Sequence, residues 1–275
     1  MAFQTWQIGL DIQNGQLCAL GIQRRRNGWQ LRHWWQHALP QDTLRNGALQ
    51  RSAELTAILQ CWRKQLPRQI SLRVGFPPQL VLQRHIDLPR QLVTEPERSS
   101  YVRAAARRFF PIELDALVLD YRELPHPAGQ LCVTAARREM VDQWLTCLSH
   151  AGLLPQVFEL TAAALRSLSQ GLKLDPAATL VHRLADHWLW FSPQNSQQPC
   201  GWCSHDEASD FQALRLRYLP DSGVIYYSAV VADLLPDETH DLLPLQALQM
   251  IQPPLPPYSG SFALATGLAL RPEDR

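Results

Sequence analysis

No apolar run in this sequence is long enough to cross a bilayer. The most apolar stretch, GVIYYSAVVADLLP, is broken by Ser228 and Asp233, well short of the ~20 residues a spanning helix needs. The opening segment MAFQTWQIGLDIQ has neither the basic start nor the apolar core of a secretory signal. The chain is therefore expected to stay in the cytoplasm unless a partner tethers it to a membrane. GxSxG, HExxH and P-loop patterns are missing, and with them the common signatures of serine hydrolases, zinc proteases and P-loop nucleotide enzymes. Recognition-helix, zinc-finger and RNP patterns are also missing, so direct nucleic-acid binding is not expected. Cys200-Gly-Trp-Cys203 has ligand-like spacing, but a structural zinc site would want a second such pair and there is none. The six cysteines are read as small hydrophobes in a reducing compartment, and no metal is expected.

What is present is enough apolar material for one large core or two modest ones: 275 residues, 46% hydrophobic and 19% charged. The net charge of +1 hides an uneven distribution. Residues 1–138 hold 19 Lys+Arg against 10 Asp+Glu, and residues 139–275 hold 7 against 15. The first half is thus +9 and the second −8. A basic half can meet an anionic membrane face, an acidic partner or nucleic acid, and composition alone does not choose among them.

Apolar alternation at Trp6, Ile8, Leu10 and Ile12 predicts a strand, and Leu17–Ile22 its return. Asn14-Gly15 between them predicts a two-residue type I′ turn. A third strand is expected at about 29–36. A helix over 52–66 with Ser52 as N-cap follows, then a strand carrying Ile70, Leu72, Val74 and Phe76. Three antiparallel strands, a helix and a strand is how an α/β domain of the ribonuclease H and actin kind begins. VLQRHIDLP is read as a strand. A capping box, Thr94 to Glu97, opens a helix whose apolar face is Val102, Ala105, Ala106 and Phe109. Two strands follow, ALVLDYREL and QLCVTAARR. The next helix buries Val141, Trp144, Leu145 and Leu148 and is capped by Gly152. After PQVFEL (strand) and TAAALRSLSQGL (helix), ATLVHRL and HWLWFS form a second pair of strands around a polar turn. PPLPP reads as a stiff surface connector, and SFALATGLAL as a final helix.

Residues 101–168, YVRAAARRFFPIELDALVLDYREL and LCVTAARREMVDQWLTCLSHAGLLPQVFELTAAAL among them, resemble the PilM family of type IV pilus assembly proteins. A helix ending in an aromatic-Pro pair, a DY strand, an AARRE strand-helix junction and an AGL-x-P turn recur in that family in this order. IGLDI and FALATGLALR resemble its first strand and last helix. The short length, LRHWWQHALP and PPLPP bring the chain nearest to the PilM-like proteins of DNA-utilisation operons. The resemblance implies an actin-like, ribonuclease H-like two-lobed α/β fold with an inserted α+β subdomain and a reduced C-terminal lobe. It divides the chain into a first core subdomain (1–79), the insertion (80–140), a return to the first core (141–175) and a second, shortened core subdomain (176–275). It also implies a cytoplasmic adaptor, peripheral to the inner membrane through its partner. That partner would be a PilN-like bitopic inner-membrane protein, whose N-terminal cytoplasmic tail lies in a groove between the first core subdomain and the insertion.

The family's first phosphate loop resembles GLDIGSSSVK. This chain keeps Gly9, Leu10, Asp11 and Ile12 and then reads Gln13, Asn14, Gly15, Gln16, without the hydroxyls or the lysine. Backbone N–H groups and small hydroxyls are what approach phosphate oxygens closely, so Asp11, Gln13, Asn14, Gly15 and Gln16 are read as vestigial positions. Where the second loop needs a metal-facing aspartate, the chain offers His182, Arg183 and Leu184, with Asp186 nearby in the turn as the one substitute ligand. No cofactor and no catalysis are expected; the alternative is an actin-like ATPase whose Mg-ATP binding regulates the same assembly. His33, His37, His182 and His187 are read as surface or satisfied interior residues. Trp34 and Trp35 are expected to project to opposite faces of a strand.

Overall fold

Alternating side chains point to opposite faces of a strand, and in the opening residues both faces are apolar. The computed structural model describes residues 5–89, 94–124, 129–195 and 198–273. In it β1 (Trp6–Ile12), β2 (Gln16–Arg25) and β3 (Gly28–Ala38) form an antiparallel meander. Ile8, Leu10 and Ile12 enter one core cluster with Leu59 and Trp62, while Cys18, Leu20 and Ile22 enter a second with Phe262 and Ala265. A two-strand ribbon, β4 (Leu44–Arg45) and β5 (Ala48–Leu49), leads into α1 (Ser52–Arg63). β6 (Ile70–Phe76) then lies parallel to β1.

The chain next leaves this sheet. β7 (Val81–Asp87), β8 (Leu117–Glu123) and β9 (Gln130–Arg137) make a separate antiparallel sheet in the order β7-β9-β8, with α2 (Glu97–Phe109) packed on it. It returns through α3 (Arg138–His150), which packs beside α1, and β10 (Pro155–Leu160), parallel to β6. α4 (Thr161–Leu172) carries the chain to a second sheet. There β11 (Thr179–Arg183), β12 (His187–Phe191), β13 (Cys200–Ser204), α5 (Phe211–Tyr218) and β14 (Ile225–Ala229) repeat the order of meander, helix and parallel strand, with β15 (Thr239–Asp241) at the edge. The two sheets, β10-β6-β1-β2-β3 and β13-β12-β11-β14-β15, thus share one topology. α4 and α6 (Ala263–Leu270) fill the space between them. Among the described residues no helix is long and apolar enough to cross a membrane.

The contact of α6 with β1 and α4 is made backbone to backbone. A Cβ on Gly9 would lie 2.0 Å from the Ala265 carbonyl oxygen, and one on Gly267 2.1 Å from that of Ala164. Only glycine admits such approaches.

Five local expectations are corrected. The 13–16 turn reverses the chain, with Gln13 N–H donating to the Gln16 carbonyl, but only Gly15 has positive φ (+89°), so the turn is not type I′. Ser52 is the first helical residue rather than the cap; Arg51 precedes it and pairs with Asp42. At α2 the Glu95 carboxylate, not Thr94, accepts a free N–H, that of Ser99. Phe109 is exposed, and Phe110 is buried instead. The reason is Pro111, which disfavours helical geometry in the residue before it. Phe110 is accordingly extended (φ −111°, ψ 125°), and its ring joins Ile86, Val102 and Leu131. Leu145 is also exposed, because Cys147 completes the buried stripe of Trp144 and Leu148. Gly152 does cap α3. It has φ +72°, it donates to the Ser149 carbonyl, and Leu153 donates to that of Leu148, the double bond of a Schellman end.

Replacing Gly9 with alanine tests the α6 contact. Overpacking of this kind costs roughly 2 kcal/mol, so the melting temperature of Gly9→Ala is expected to fall by about 5 °C. Gly223→Ala, at a position open to solvent, should melt with the wild type in the same calorimetric scan.

Candidate functional site

Two concavities flank the first sheet, and they differ in scale. The smaller is the cleft where the first turns of the two sheets face each other, lined by Asp11, Gln13, Asn14, Thr161, Leu184 and Asp186 among others. Its free volume is about 20 Å³, room for about one water molecule. Asp11 lies at the end of β1, fully buried. Gln13 Nε2 donates to its Oδ2, while Oδ1 has no partner among the described residues. Burial pushes the Asp11 carboxyl up to about 7, the hydrogen bond from Gln13 offsetting part of the effect. Asn14 Oδ1 and Gln16 Nε2 do not point at a shared centre of negative charge: Asn14 accepts from Leu44 N–H, and Gln16 donates across to the Val230 carbonyl of the second lobe (3.3 Å). A Cβ on Gly15 would meet the Gln41 side chain.

Opposite this turn the metal-aspartate position is filled by other chemistry. His182 is buried, with Nδ1 on the Ser228 hydroxyl (2.8 Å), and burial pushes it down to about 3. Arg183 pairs with Asp233 and lies over the Trp188 ring. Leu184 presents a buried apolar side chain to the cleft. Asp186 does stand in the turn and line the cleft, but its Oδ1 is held 2.5 Å from His187 Nδ1, which keeps its carboxyl below the usual range against the effect of burial. These residues do not fit a magnesium nucleotide. A small-molecule site needs about 300–1,000 Å³, Mg²⁺ wants carboxylates facing its hydration shell, and here one carboxyl is buried and bonded to Gln13 while the other is bonded to a histidine.

The larger concavity is a groove of about 1270 Å³ along the outside of α1 and α3. The two helices run side by side: Thr56 Oγ1 donates to the Cys147 carbonyl (3.3 Å), and Gln60 Nε2 to that of His150 (2.9 Å). Small exposed side chains, Ala53 and Ala57, line the α1 wall. Asp142, Thr146 and His150 line the α3 wall. From the insertion, Ala116 in the turn before β8 and Arg137 at the end of β9 reach the rim. The concavity lies mainly on the first core, with α3 supplying its second wall. Arg138, at the first turn of α3, donates to the carbonyls of Asp115 (3.1 Å) and Leu117 (3.0 Å) and so ties the insertion to this rim.

The sequence model of the family described as Type IV pilus assembly protein PilM matches residues 9–178, more than half of the chain. The chain belongs to the PilM family. It is 29% identical over 273 residues to the DNA utilization protein HofM of Escherichia coli K12, with 98% of each chain covered. Among solved structures it is similar to a PilM-PilN type IV pilus biogenesis complex, with a TM-score of 0.71 and 19% identity over 96% of this chain and 97% of that one. It is also similar to the cytoplasmic domain of EpsL, an inner-membrane component of the type II secretion system of Vibrio cholerae, with a TM-score of 0.56 and 11% identity over 96% and 94%. The fold of this PilM-family chain is therefore actin-like, as its strand order implied.

The remaining singled-out residues are packed into that fold. Trp34 and Trp35 do take opposite faces of β3. Trp35 stacks on Trp62 (centroids 5.0 Å apart), while Trp34 meets Phe262 edge-on and donates to the Pro254 carbonyl in the proline connector. His33 Nε2 accepts from Trp62 Nε1, and His37 stacks on Trp35. Cys200 and Cys203 belong to opposite faces of β13, one packed against each cluster of the second lobe, so they cannot share a metal. Burial pushes the thiols of Cys18, Cys132, Cys147, Cys200 and Cys203 up. Cys61, on the exposed side of α1, is the one exposed cysteine.

Asp11 gives the cleft a pH signature. Its folded pKa of about 7 exceeds the ordinary carboxyl value, so the native state retains a proton that the unfolded chain has lost, and stability falls as pH rises between about 4 and 7. Asp11→Asn removes that penalty. Melts across this range should find the variant close to wild type near pH 4.5 and more stable above pH 7, by up to about 4 kcal/mol.

Proposed function

We propose that this PilM-family chain is a non-catalytic adaptor of a type IV pilus or DNA-uptake apparatus. It holds the cytoplasmic N-terminal tail of a PilN-like inner-membrane protein in the α1–α3 groove and thereby sits at the inner membrane through that partner. The observation that carries this reading is the contrast between the two concavities: about 1270 Å³ along α1 and α3 against about 20 Å³ at the former phosphate turn. An open helical trough of that size suits a peptide, which buries a few side chains between the helices and bonds with the polar rim. Ala53 and Ala57 let a peptide backbone approach α1 closely, and the rim mixes Arg137 and Arg138 with Glu139 and Asp142, so it can meet polar groups of either sign. Family membership and the similarity to a solved PilM-PilN complex support the partner's identity.

The competing ATPase reading rests on the retained Asp11. Its measurable consequence is micromolar Mg-ATP binding, whereas the adaptor reading expects no binding heat.

Calorimetry with the cytoplasmic N-terminal tail of a PilN-like bitopic membrane protein tests the groove. Ala57→Arg, an exposed change on the groove wall, should weaken the tail at least about tenfold, or 1.4 kcal/mol. Asp11→Asn should leave its affinity unchanged. A tail that does not bind, or that binds Ala57→Arg as tightly as wild type, rejects the groove as its site.

A further inference from the structure

One end of the first sheet gathers positive charge, where the described carboxylate Glu273 is already bonded to Ser71 and buried Arg73. The β2–β3 hairpin closes there at Arg25 opposite Gly28, and Arg24, Arg25 and Arg26 are all exposed at its tip. Arg24 lies 5.1 Å over the Trp29 ring. Exposed Arg32 lies 5.4 Å over Trp6, the residue at which β1 enters the sheet. Trp6 is paired with Ile70 at the start of β6, so the segment leading into β6, with exposed Lys64 and Arg68, reaches the same end. Arg63, the last residue of α1, holds that segment in place by donating to the carbonyls of Gly152, Leu66, Pro67 and Arg68.

Among the described residues no carboxylate lies within 4.0 Å of Arg24, Arg25, Arg26, Arg32, Lys64 or Arg68, whereas Arg51, Arg98, Arg183 and Arg215 each have one. Two exposed apolar side chains border these cations. Leu154, two residues beyond the Gly152 that Arg63 grips, is 69% exposed. Ile251, 42% exposed, follows Met250, whose carbonyl accepts from Leu31 of β3. The cations are nearly all of one kind: 24 of the chain's 26 basic residues are arginine. Arginine's planar fork grips phosphate oxygens two at a time. Guanidinium groups without a carboxylate partner, half-buried tryptophans and protruding aliphatic tips are the mixture that suits an anionic bilayer surface, where charge attracts and apolar tips enter the headgroup layer. Duplex nucleic acid would use the arginines and leave Leu154 and Ile251 in water.

We propose that this end of the first lobe docks directly on an anionic phospholipid surface. The contact also orients the groove. α1 and α3 both run towards this end, with Gln60 beside His150 nearest to it, so a tail emerging from the membrane meets the groove at its open end. That last step rests on the groove reading; the lipid contact does not.

Co-sedimentation of the full chain with vesicles of phosphatidylglycerol and phosphatidylethanolamine tests it, with phosphatidylcholine vesicles as the control. The wild type is expected to sediment with the anionic vesicles only, and less as salt is raised. Reversing the tip charges (Arg24→Glu, Arg25→Glu and Arg26→Glu together) should weaken binding at least tenfold with an unchanged melting temperature, since all three are exposed. Leu154→Glu should weaken it severalfold. Failure to sediment with anionic vesicles near physiological salt, or a charge-reversed chain that sediments like wild type, overturns the proposal. So does an unaffected Leu154→Glu variant if the wild type binds random duplex DNA with the same salt dependence. Tail calorimetry on the charge-reversed chain keeps the two readings separate: an intact tail affinity with lost vesicle binding, or the reverse, shows which one stands.

Discussion

A buried carboxylate, Glu159, holds the first lobe together. It is 5% exposed on β10, and it receives Arg271 from beyond the end of α6 and Arg122 from β8 of the inserted sheet (2.9 and 3.2 Å). A charge so far from water is tolerated only when paired and hydrogen-bonded, and removing one member leaves the others uncompensated. Arg73 extends the junction: fully buried on β6, it donates to the Arg271 carbonyl (2.6 Å) and to Ser71. Three parts of the chain far apart in sequence, namely the parallel strands, the inserted sheet and the C-terminal segment, therefore meet at one point. With Arg138 bonded to the carbonyls at 115 and 117, the insertion is tied at two places. The rim of the groove inherits its position from those ties.

The cleft between the lobes has gone the other way. Two turns face each other there at the ends of two equivalent sheets. The space between the turns is occupied by an apolar Leu184 and the amide side chains of Gln13 and Asn14, and it is spanned by a direct bond from Gln16 to the Val230 carbonyl. Asp11 survives there as a largely desolvated carboxyl. The concavity on the outer helices is thus open, and the one on the axis is nearly full.

Much of this was legible in the residues themselves. Period-two alternation located β1, β2, β3 and β6, and the AARRE and AGL-x-P segments located α3 and its cap, because those signals are local and the structure adds nothing that competes with them. The reading of Asp11, Gln13, Asn14, Gly15 and Gln16 as vestigial rests on the family pattern alone. The helix α5 was not foreseen, since its eight residues bury little beyond Phe211 and Leu214. Phe109 and Phe110 could not be told apart by helical spacing, since the proline that follows turns the second ring inward. Glu159, Arg122 and Arg271 carried no sequence signal at all, their separations being 37 and 112 residues. That α3 would lie alongside α1 was not legible either, since nothing in the pattern brings two helices 90 residues apart together. The division of the chain at 79, 140 and 175 remains a reading of the family pattern, beside an observed inserted sheet spanning Val81–Arg137.

The cysteine distribution gives the molecule a practical property. Cys61 is the lone exposed cysteine, and the other five are held as neutral thiols by burial, a state of low nucleophilicity. Cys61 also adjoins Gln60 on the groove wall. An unmodified chain therefore carries its own attachment point for a maleimide fluorophore, one residue along α1 from the wall of the trough.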